Sequence, residues 1–289
     1  MIRPMSGDLV VRPMRRAELD VLVDWAAAEG WNPGLSDAEI FWATDPEGFV
    51  AAEVDGELVG GGSIVSYDGR FGFMGFFIVA PAHRGQGLGR RLWIHRRDAL
   101  LARLEPGASI GMDGVLEMEP FYARGGFAPA GVDVRHEGVG APASVSSAIV
   151  DARDVSLDAL VAYDAAHFPA RRAPFLERWI AQPGARALAS VDGGDLQGFG
   201  LARPCRLGVK IGPLFAADAG VAEELLLGLG AHAPGKPLFL DTPDANPAAA
   251  DLARRYGMRE VFACARMYLG ARPELPDREI FGVTTFELG

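Results

Sequence analysis

The stretch AHRGQGLGRR, residues 82–91, places Gly85, Gly87 and Gly89 at alternate positions among arginines. Glycine loses more backbone freedom on folding than any other residue, so this density marks a point where something must approach the main chain closely. Upstream, FGFMGFFIVAP is apolar and rich in β-forming residues, a buried strand ended by Pro81. Downstream, GRRLWIHRRDALLARL puts Leu88, Leu92 and Ala99 on one helical face, with Trp93, Leu100 and Leu104 beside them. The glycines therefore fall on a strand-to-helix turn. First-turn N–H groups of a helix have no partner within it, and the helix dipole favours an anion there. Arg84, Arg90, Arg91, Arg96, Arg97 and Arg103 stand in the same region against Asp98. The chemistry indicated is the binding of a polyphosphate on bare amides with arginines around it.

The P-loop pattern is absent, because no Lys-Ser or Lys-Thr follows the glycines, and the third glycine of a dinucleotide fingerprint is missing. The pattern present is R-x-x-G-x-G, on Arg84, Gly87 and Gly89 after VAP. It resembles the pyrophosphate-binding motif of the Gcn5-related N-acetyltransferases (GNAT). FYARGGF is similar to the Y-x-x-x-G-F element of that family, with Tyr122 on a helix and Gly126-Phe127 at its end. Between the two, ASIGMDG forms a short strand that splays from its neighbour and opens a slot. The resemblance spans about residues 8 to 133. It implies acetyl-CoA as co-substrate, held by Arg84, Gly85, Gln86, Gly87, Leu88, Gly89 and Arg90, with its pantetheine arm in the slot. It also implies an oxyanion donor in the backbone N–H of Ile78 or Val79, and transfer to a primary amine by direct attack on the thioester. Tyr122 is then the acid for the departing thiolate, as a phenol can hydrogen-bond sulfur. No metal is implied.

The base is open. Some family members use a glutamate on the strand before the loop, and FMGFFIV contains none. Glu117, Glu119 and Glu29 remain as candidates, acting directly or through water, while the neighbours of His83 give it a structural place in the turn. EGWNPGLSD, residues 29–37, forms a turn before a helix beginning near Ser36, an N-cap with Glu39 three residues on. This region borders the acceptor site in the family, so Trp31 and Asn32 are candidate substrate-binding residues for a cationic or aromatic amine. Asp241 and Asp244 add negative charge there if the two halves of the chain face each other. A protein that binds acetyl-CoA or another acyl-CoA as a sensor or scaffold, without transfer, is the alternative reading.

The elements that position these residues occur twice. Leu19, Leu22, Val23 and Ala26 line the first helix, and Leu157, Leu160, Val161 and Asp164 take the corresponding places in the second half. FVAAEVDGELVGGG pairs with ALASVDGGDLQGFG, each a hairpin, and GVLEMEPFYARGGF with NPAAADLARRYGM, each a helix closed by glycine. The expected organisation is an N-terminal catalytic domain over 8–134, a Gly/Ala/Ser-rich linker over 135–147 and a degenerate copy over 148–289. The fold class is α/β, each half a mostly antiparallel mixed sheet flanked by helices. In the copy the arginines and glycine triplet are gone, Asp218, Glu223 and Glu224 stand at the helix start, and Ala253 replaces the tyrosine. It is expected to shape the acceptor pocket or a dimer without binding the co-substrate. The final REIFGVTTFELG alternates as a last strand.

Composition bounds the rest. The 289 residues carry 28 Lys plus Arg against 38 Asp plus Glu, a net charge of −10, which argues against nucleic-acid binding. Cys205 and Cys264 form no disulfide framework or metal spacing, so a reducing cytoplasm is expected and buried packing is their default. MIRPMSGDLVV has no apolar stretch of signal-peptide length, and no run approaches the roughly 18 residues of a membrane span. The expected partner is a small-molecule or peptide amine, with room left for a homodimer.

Overall fold

The computed structural model describes residues 8–289; the segment 1–7, part of the stretch used for the signal-peptide expectation, lies outside them. The first half runs β1 (Val10–Pro13), α1 (Arg16–Ala28), α2 (Asp37–Thr44), β2 (Phe49–Val54), β3 (Glu57–Ser63), β4 (Val65–Tyr67), β5 (Phe71–Met74), β6 (Ile78–Val79), α3 (Leu88–Leu101), β7 (Ser109–Val115), α4 (Glu119–Arg124) and β8 (Ala128–Val139). The second repeats the rhythm with β9 (Ile149–Asp151), α5 (Leu157–His167), α6 (Ala173–Ala181), β10 (Arg186–Asp192), β11 (Asp195–Pro204), β12 (Val209–Ala216), α7 (Ala219–Gly230), β13 (Pro237–Pro243), α8 (Pro247–Arg255), β14 (Arg259–Leu269) and β15 (Ile280–Gly282). The predicted hairpins are present. Asp55-Gly56 and Gly193-Gly194 both take positive φ, the conformation that matches a two-residue turn to the twist of its strands.

The strands form two sheets. A small one has the order β1-β2-β3-β6, and a long one runs β4-β5-β7-β14-β8-β13-β12-β11-β10-β9, with β15 on β12. The long sheet joins the halves by exchange. β14 lies between β7 and β8, pairing Leu269 with Ile110 on one side and Tyr268 with Ala128 on the other. β8 in turn pairs with β13, from Asp133↔Pro243 to Val139↔Pro237. Each half thus lends its last long strand to the sheet of the other.

This corrects the linker drawn at 135–147. Residues 135–139 are the second part of β8, and Arg135 and His136 are buried. The small residues that suggested a linker are there for close approach: a Cβ at Gly138 would lie 2.8 Å from Met258, and one at Gly140 2.2 Å from the Ala233 carbonyl oxygen. Helix and strand are absent only over residues 141–147 of that stretch.

Buried ion pairs reinforce the junction. Arg203 of β11 donates to Asp37 of α2 at 3.0 Å, both side chains fully buried, and its guanidinium lies 4.5 Å over the Trp179 ring. Asp37 also accepts from the Gly34 N–H at 2.7 Å. The expected side-chain cap from Ser36 does not form; Asp37 turns the chain into α2 instead. Removing one partner of a fully buried pair leaves an uncompensated charge, a cost of about 3–5 kcal/mol. Asp37→Ala is therefore expected to lose that much stability in chemical denaturation, with both halves unfolding in one transition. Separate transitions for the two halves would contradict the exchanged-strand architecture.

Candidate active site

One continuous strand region changes sheets in the middle. β5 pairs in parallel with β7, up to Met74↔Met112, whereas β6 pairs with β3 of the small sheet through Ile78↔Gly61 and Val79↔Gly60. Residues 75–77 make the transfer, with Phe76 at φ +50°. β6 and β7 therefore diverge, as the splayed ASIGMDG strand required. Arg96 of α3 holds the break: its Nη2 donates at 2.6 Å to both the Ser63 and Gly75 carbonyls. Its guanidinium stacks 5.2 Å from the Phe77 centroid, and Nε and Nη1 have no hydrogen-bond partner among the described residues. Burial lowers its pKa to about 9. The glycine run in β3 makes room for this device, because a Cβ at Gly62 would stand 2.3 Å from Arg96 Cζ.

A cavity of about 450 Å³ opens at the break. The glycine loop forms part of its wall. Gly85 and Gly87 take left-handed φ of +76° and +78°, and a Cβ on either would meet nothing within 4 Å, so the loop presents bare backbone to open space. Gly87 caps α3, whose first N–H groups lack helical partners. Ile78, Val79, Arg84, Gly85, Gly89 and Arg90 line the cavity. Gln86, Gly87 and Leu88 do not; Leu88 is buried in the core and Gln86 donates to the Ala82 carbonyl at 3.4 Å.

The arginine run is less uniform than its charge suggested. Arg84 and Arg90 line the cavity. Arg96 is wholly buried, Arg103 pairs with Asp45 at 2.8 Å, Arg97 with Asp98 at 2.8 Å, and Arg91 donates to the Leu9 carbonyl at 3.3 Å. Arg84 itself fastens the loop, donating through Nε to the Val79 carbonyl at 2.8 Å and through Nη2 to Glu29. Glu29, a candidate base, lines the cavity but is engaged by this ion pair.

Tyr122 on α4 faces the cavity from under β7, where a Cβ at Gly114 would fall 2.3 Å from its ring. Its ring packs 4.8 Å from Trp93 and 5.6 Å from Phe121. Burial pushes the phenol up to about 12, against a lowering by the nearby Arg96 charge. Gly126 at φ +98° closes the helix as expected, with the Phe127 N–H returning to the Tyr122 carbonyl at 3.3 Å. Glu117 lies in a 3-10 turn, exposed and off the cavity wall, and Glu119 is off it as well. Trp31 is on the wall, but Asn32 is not. The Asn32 side chain accepts from the Leu207 N–H at 2.8 Å and donates to its carbonyl at 2.9 Å, tying the first half to the β11–β12 connection.

The second half completes the wall with Phe262, Cys264, Phe286 and Glu287. Arg135 organises this part, lying 5.7 Å from the Phe262 centroid and 4.9 Å from that of Phe286 while donating to the Trp31 carbonyl and Asp241, each at 2.7 Å. Asp241 is therefore committed, and Asp244 is exposed; neither lines the cavity. Burial raises the Cys264 thiol, so it stays protonated. Phe262, Phe286 and Glu287 escaped the sequence analysis because their roles come from pairings far apart in the chain, and Arg96, counted there among the phosphate-binding arginines, is instead committed to the Ser63 and Gly75 carbonyls.

The carboxy-terminal segment is a strand only over β15. β15 pairs with β12 through Gly282↔Leu214, and the Val283 N–H donates to the Asp241 carbonyl of β13 at 2.9 Å. The segment thus enters the opening between β12 and β13, the counterpart of the cleft between β6 and β7. The start of α7, equivalent to the glycine loop, is closed by Asp218, which accepts from the Gly220 and Val221 N–H groups at 2.8 and 3.0 Å. Both features leave the second half without a counterpart of the first-half cradle. Among the described residues no His/Cys/Asp/Glu group is arranged to hold a metal, and no helix is long and apolar enough to cross a membrane.

Comparison with known proteins agrees with this architecture. The model described as "Acetyltransferase (GNAT) family" matches residues 16–127, and that described as "Acetyltransferase (GNAT) domain" matches residues 160–282. The chain is similar to a holothin acyltransferase of Pseudoalteromonas sp. (strain SANK 73390), 30% identical over 96% of this chain and 94% of that protein. It is 27% identical to an uncharacterized N-acetyltransferase of Bacillus subtilis (strain 168), over 66% of this chain and 68% of the other. A putative acetyltransferase from Pyrococcus horikoshii superposes with a TM-score of 0.83 at 23% identity, covering 97% and 96% of the two chains. A tandem GNAT protein from the clavulanic acid biosynthesis pathway superposes at 0.61 with 14% identity, covering 92% and 100%. With a matching domain in each half and a bare-backbone cradle in the first, the chain belongs to the GNAT family as a tandem-domain acyltransferase.

Proposed function

We propose that the protein moves an acyl group, acetyl in the simplest case, from coenzyme A to a primary amine by direct attack on the thioester. The observation that carries this reading is that a single cavity joins the glycine loop, the strand break and Tyr122. The loop suits a pyrophosphate, since open space stands where side chains at Gly85 and Gly87 would be. Backbone N–H groups of Ile78 or Val79, beside the break, would donate to the oxyanion that develops as the amine attacks. Tyr122 would give its phenolic proton to the departing sulfur. The relative named holothin acyltransferase supports transfer over mere binding of the acyl donor.

Gly87→Glu is expected to abolish acetyl-CoA binding in calorimetry, by placing a carboxylate in the cradle. Tyr122→Phe is expected to lower kcat on the order of 10²-fold while leaving the acetyl-CoA Kd unchanged. An unchanged kcat would remove Tyr122 from the role of acid. Because burial holds the phenol at about 12, it remains the protonated donor throughout the neutral range. Wild-type kcat should therefore show no alkaline fall from this group up to about pH 10.

A further inference from the structure

The wall supplied by the second half holds one carboxyl group that the fold leaves unused. Glu287 lines the cavity and is 3% exposed, and its Oε2 has no hydrogen-bond partner among the described residues. A buried carboxyl without a donor is costly to keep. The neighbouring acids are all engaged: Asp113 by Arg266, Asp241 by Arg135 and Asp37 by Arg203. The backbone of Glu287 is fixed against the strand break itself. Its carbonyl accepts from Ser63 Oγ at 3.2 Å, the same hydroxyl accepts from the Gly75 N–H at 2.7 Å, and a Cβ at Gly75 would strike that carbonyl at 2.1 Å. Residue 75 therefore has to be glycine for the segment to reach this point.

Resting on the acyl-transfer reading above, the geometry points to Glu287 as the catalytic residue that takes the proton of the acceptor amine, and to a flat, weakly basic aryl or heteroaryl amine as the acceptor. Trp31, Phe262 and Phe286 supply aromatic wall to the same cavity. The charged groups that face Glu287 are Lys210 of β12, Arg203 of β11 and Arg135 of β8, with Asp37 of α2 opposing them. Arg203 and Arg135 are neutralised by their Asp37 and Asp241 partners, but Arg96 on the same cavity wall is a buried guanidinium with no ion-pair partner among the described residues. In a low-dielectric site it disfavours a further cation, so an alkylammonium would enter poorly. It would also have to lose a proton before it could attack. An aryl amine arrives neutral, with its lone pair available.

The step balances. The amine nitrogen bonds to the acyl carbon, the carbon–sulfur bond breaks, Glu287 receives the N–H proton, and Tyr122 supplies a proton to the sulfur. Amide and thiol result, and solvent returns the two residues to their starting states. Burial holds the Glu287 carboxyl above the ordinary range, which brings its basicity closer to neutral pH.

The test uses the full chain with acetyl-CoA and three probe amines: aniline, 3-aminopyridine and benzylamine, read by thiol release. Wild type is expected to acetylate the two aryl amines at least tenfold more efficiently than benzylamine. Glu287→Gln should lower kcat/KM for them by about a hundredfold and remove the acidic limb of the pH profile, with the acetyl-CoA Kd within twofold. That unchanged Kd shows that the variant is folded. Retention of wild-type kcat/KM in Glu287→Gln, a preference for benzylamine, or no transfer to either aryl amine while acetyl-CoA binds would each overturn the inference. Failure of wild type to bind acetyl-CoA would overturn the acyl-transfer reading beneath it.

Discussion

The cavity exists because one strand abandons its sheet partway along, and a single buried guanidinium makes that departure stable. At residues 75–77 the main chain leaves β7 and crosses to β3, which would strand carbonyl groups in the protein interior. Arg96 answers this by donating from one nitrogen to the carbonyls of Ser63 and Gly75. Its own burial is made possible by Gly62, and its charge is offset in part by the faces of Phe77 and Trp93. The cleft, the glycine loop beyond it and the tyrosine beneath it all take their positions from this arrangement.

The same break has opposite fates in the two halves. In the first it is left open, and the turn that follows is stripped to bare backbone. In the second, the chain's own final segment enters the opening, and the helix start is satisfied by Asp218. That occupation has a consequence in the first half, because residues 286–287, at the end of the segment, emerge as part of its cavity wall. On the proposed reading the two copies serve one site: one would keep the acyl-donor cradle, and the other would support acceptor-side residues from the opening that its final segment fills. The exchange of β8 and β14 makes the two copies inseparable in this role.

Much of this was legible in the sequence where the cause is local. Alternate glycines between a strand and a helix require the left-handed turns found at Gly85 and Gly87, and Gly126 ends α4 for the same reason. The family motif and the internal duplication followed from such local patterns. What was misjudged depends on distant pairing. The glycines near 138–140 looked like a flexible connection because nothing local shows that Met258 and Ala233 press against them. Asn32 looked like a pocket residue, but its amide is committed to Leu207, 175 positions away. The arginines of α3 formed a charge run on paper, while periodicity buries Arg96 in the inner wall of the cavity and leaves Arg90 exposed on the same wall. Glu287 gave no signal at all, since an acid near a chain end is ordinarily solvated.

The two homologous halves are proposed to form a single acyl-donor site. Calorimetric titration of acetyl-CoA into the wild-type protein tests it most directly through stoichiometry. The account predicts one molecule bound per chain; two equivalent sites, or none, would contradict it.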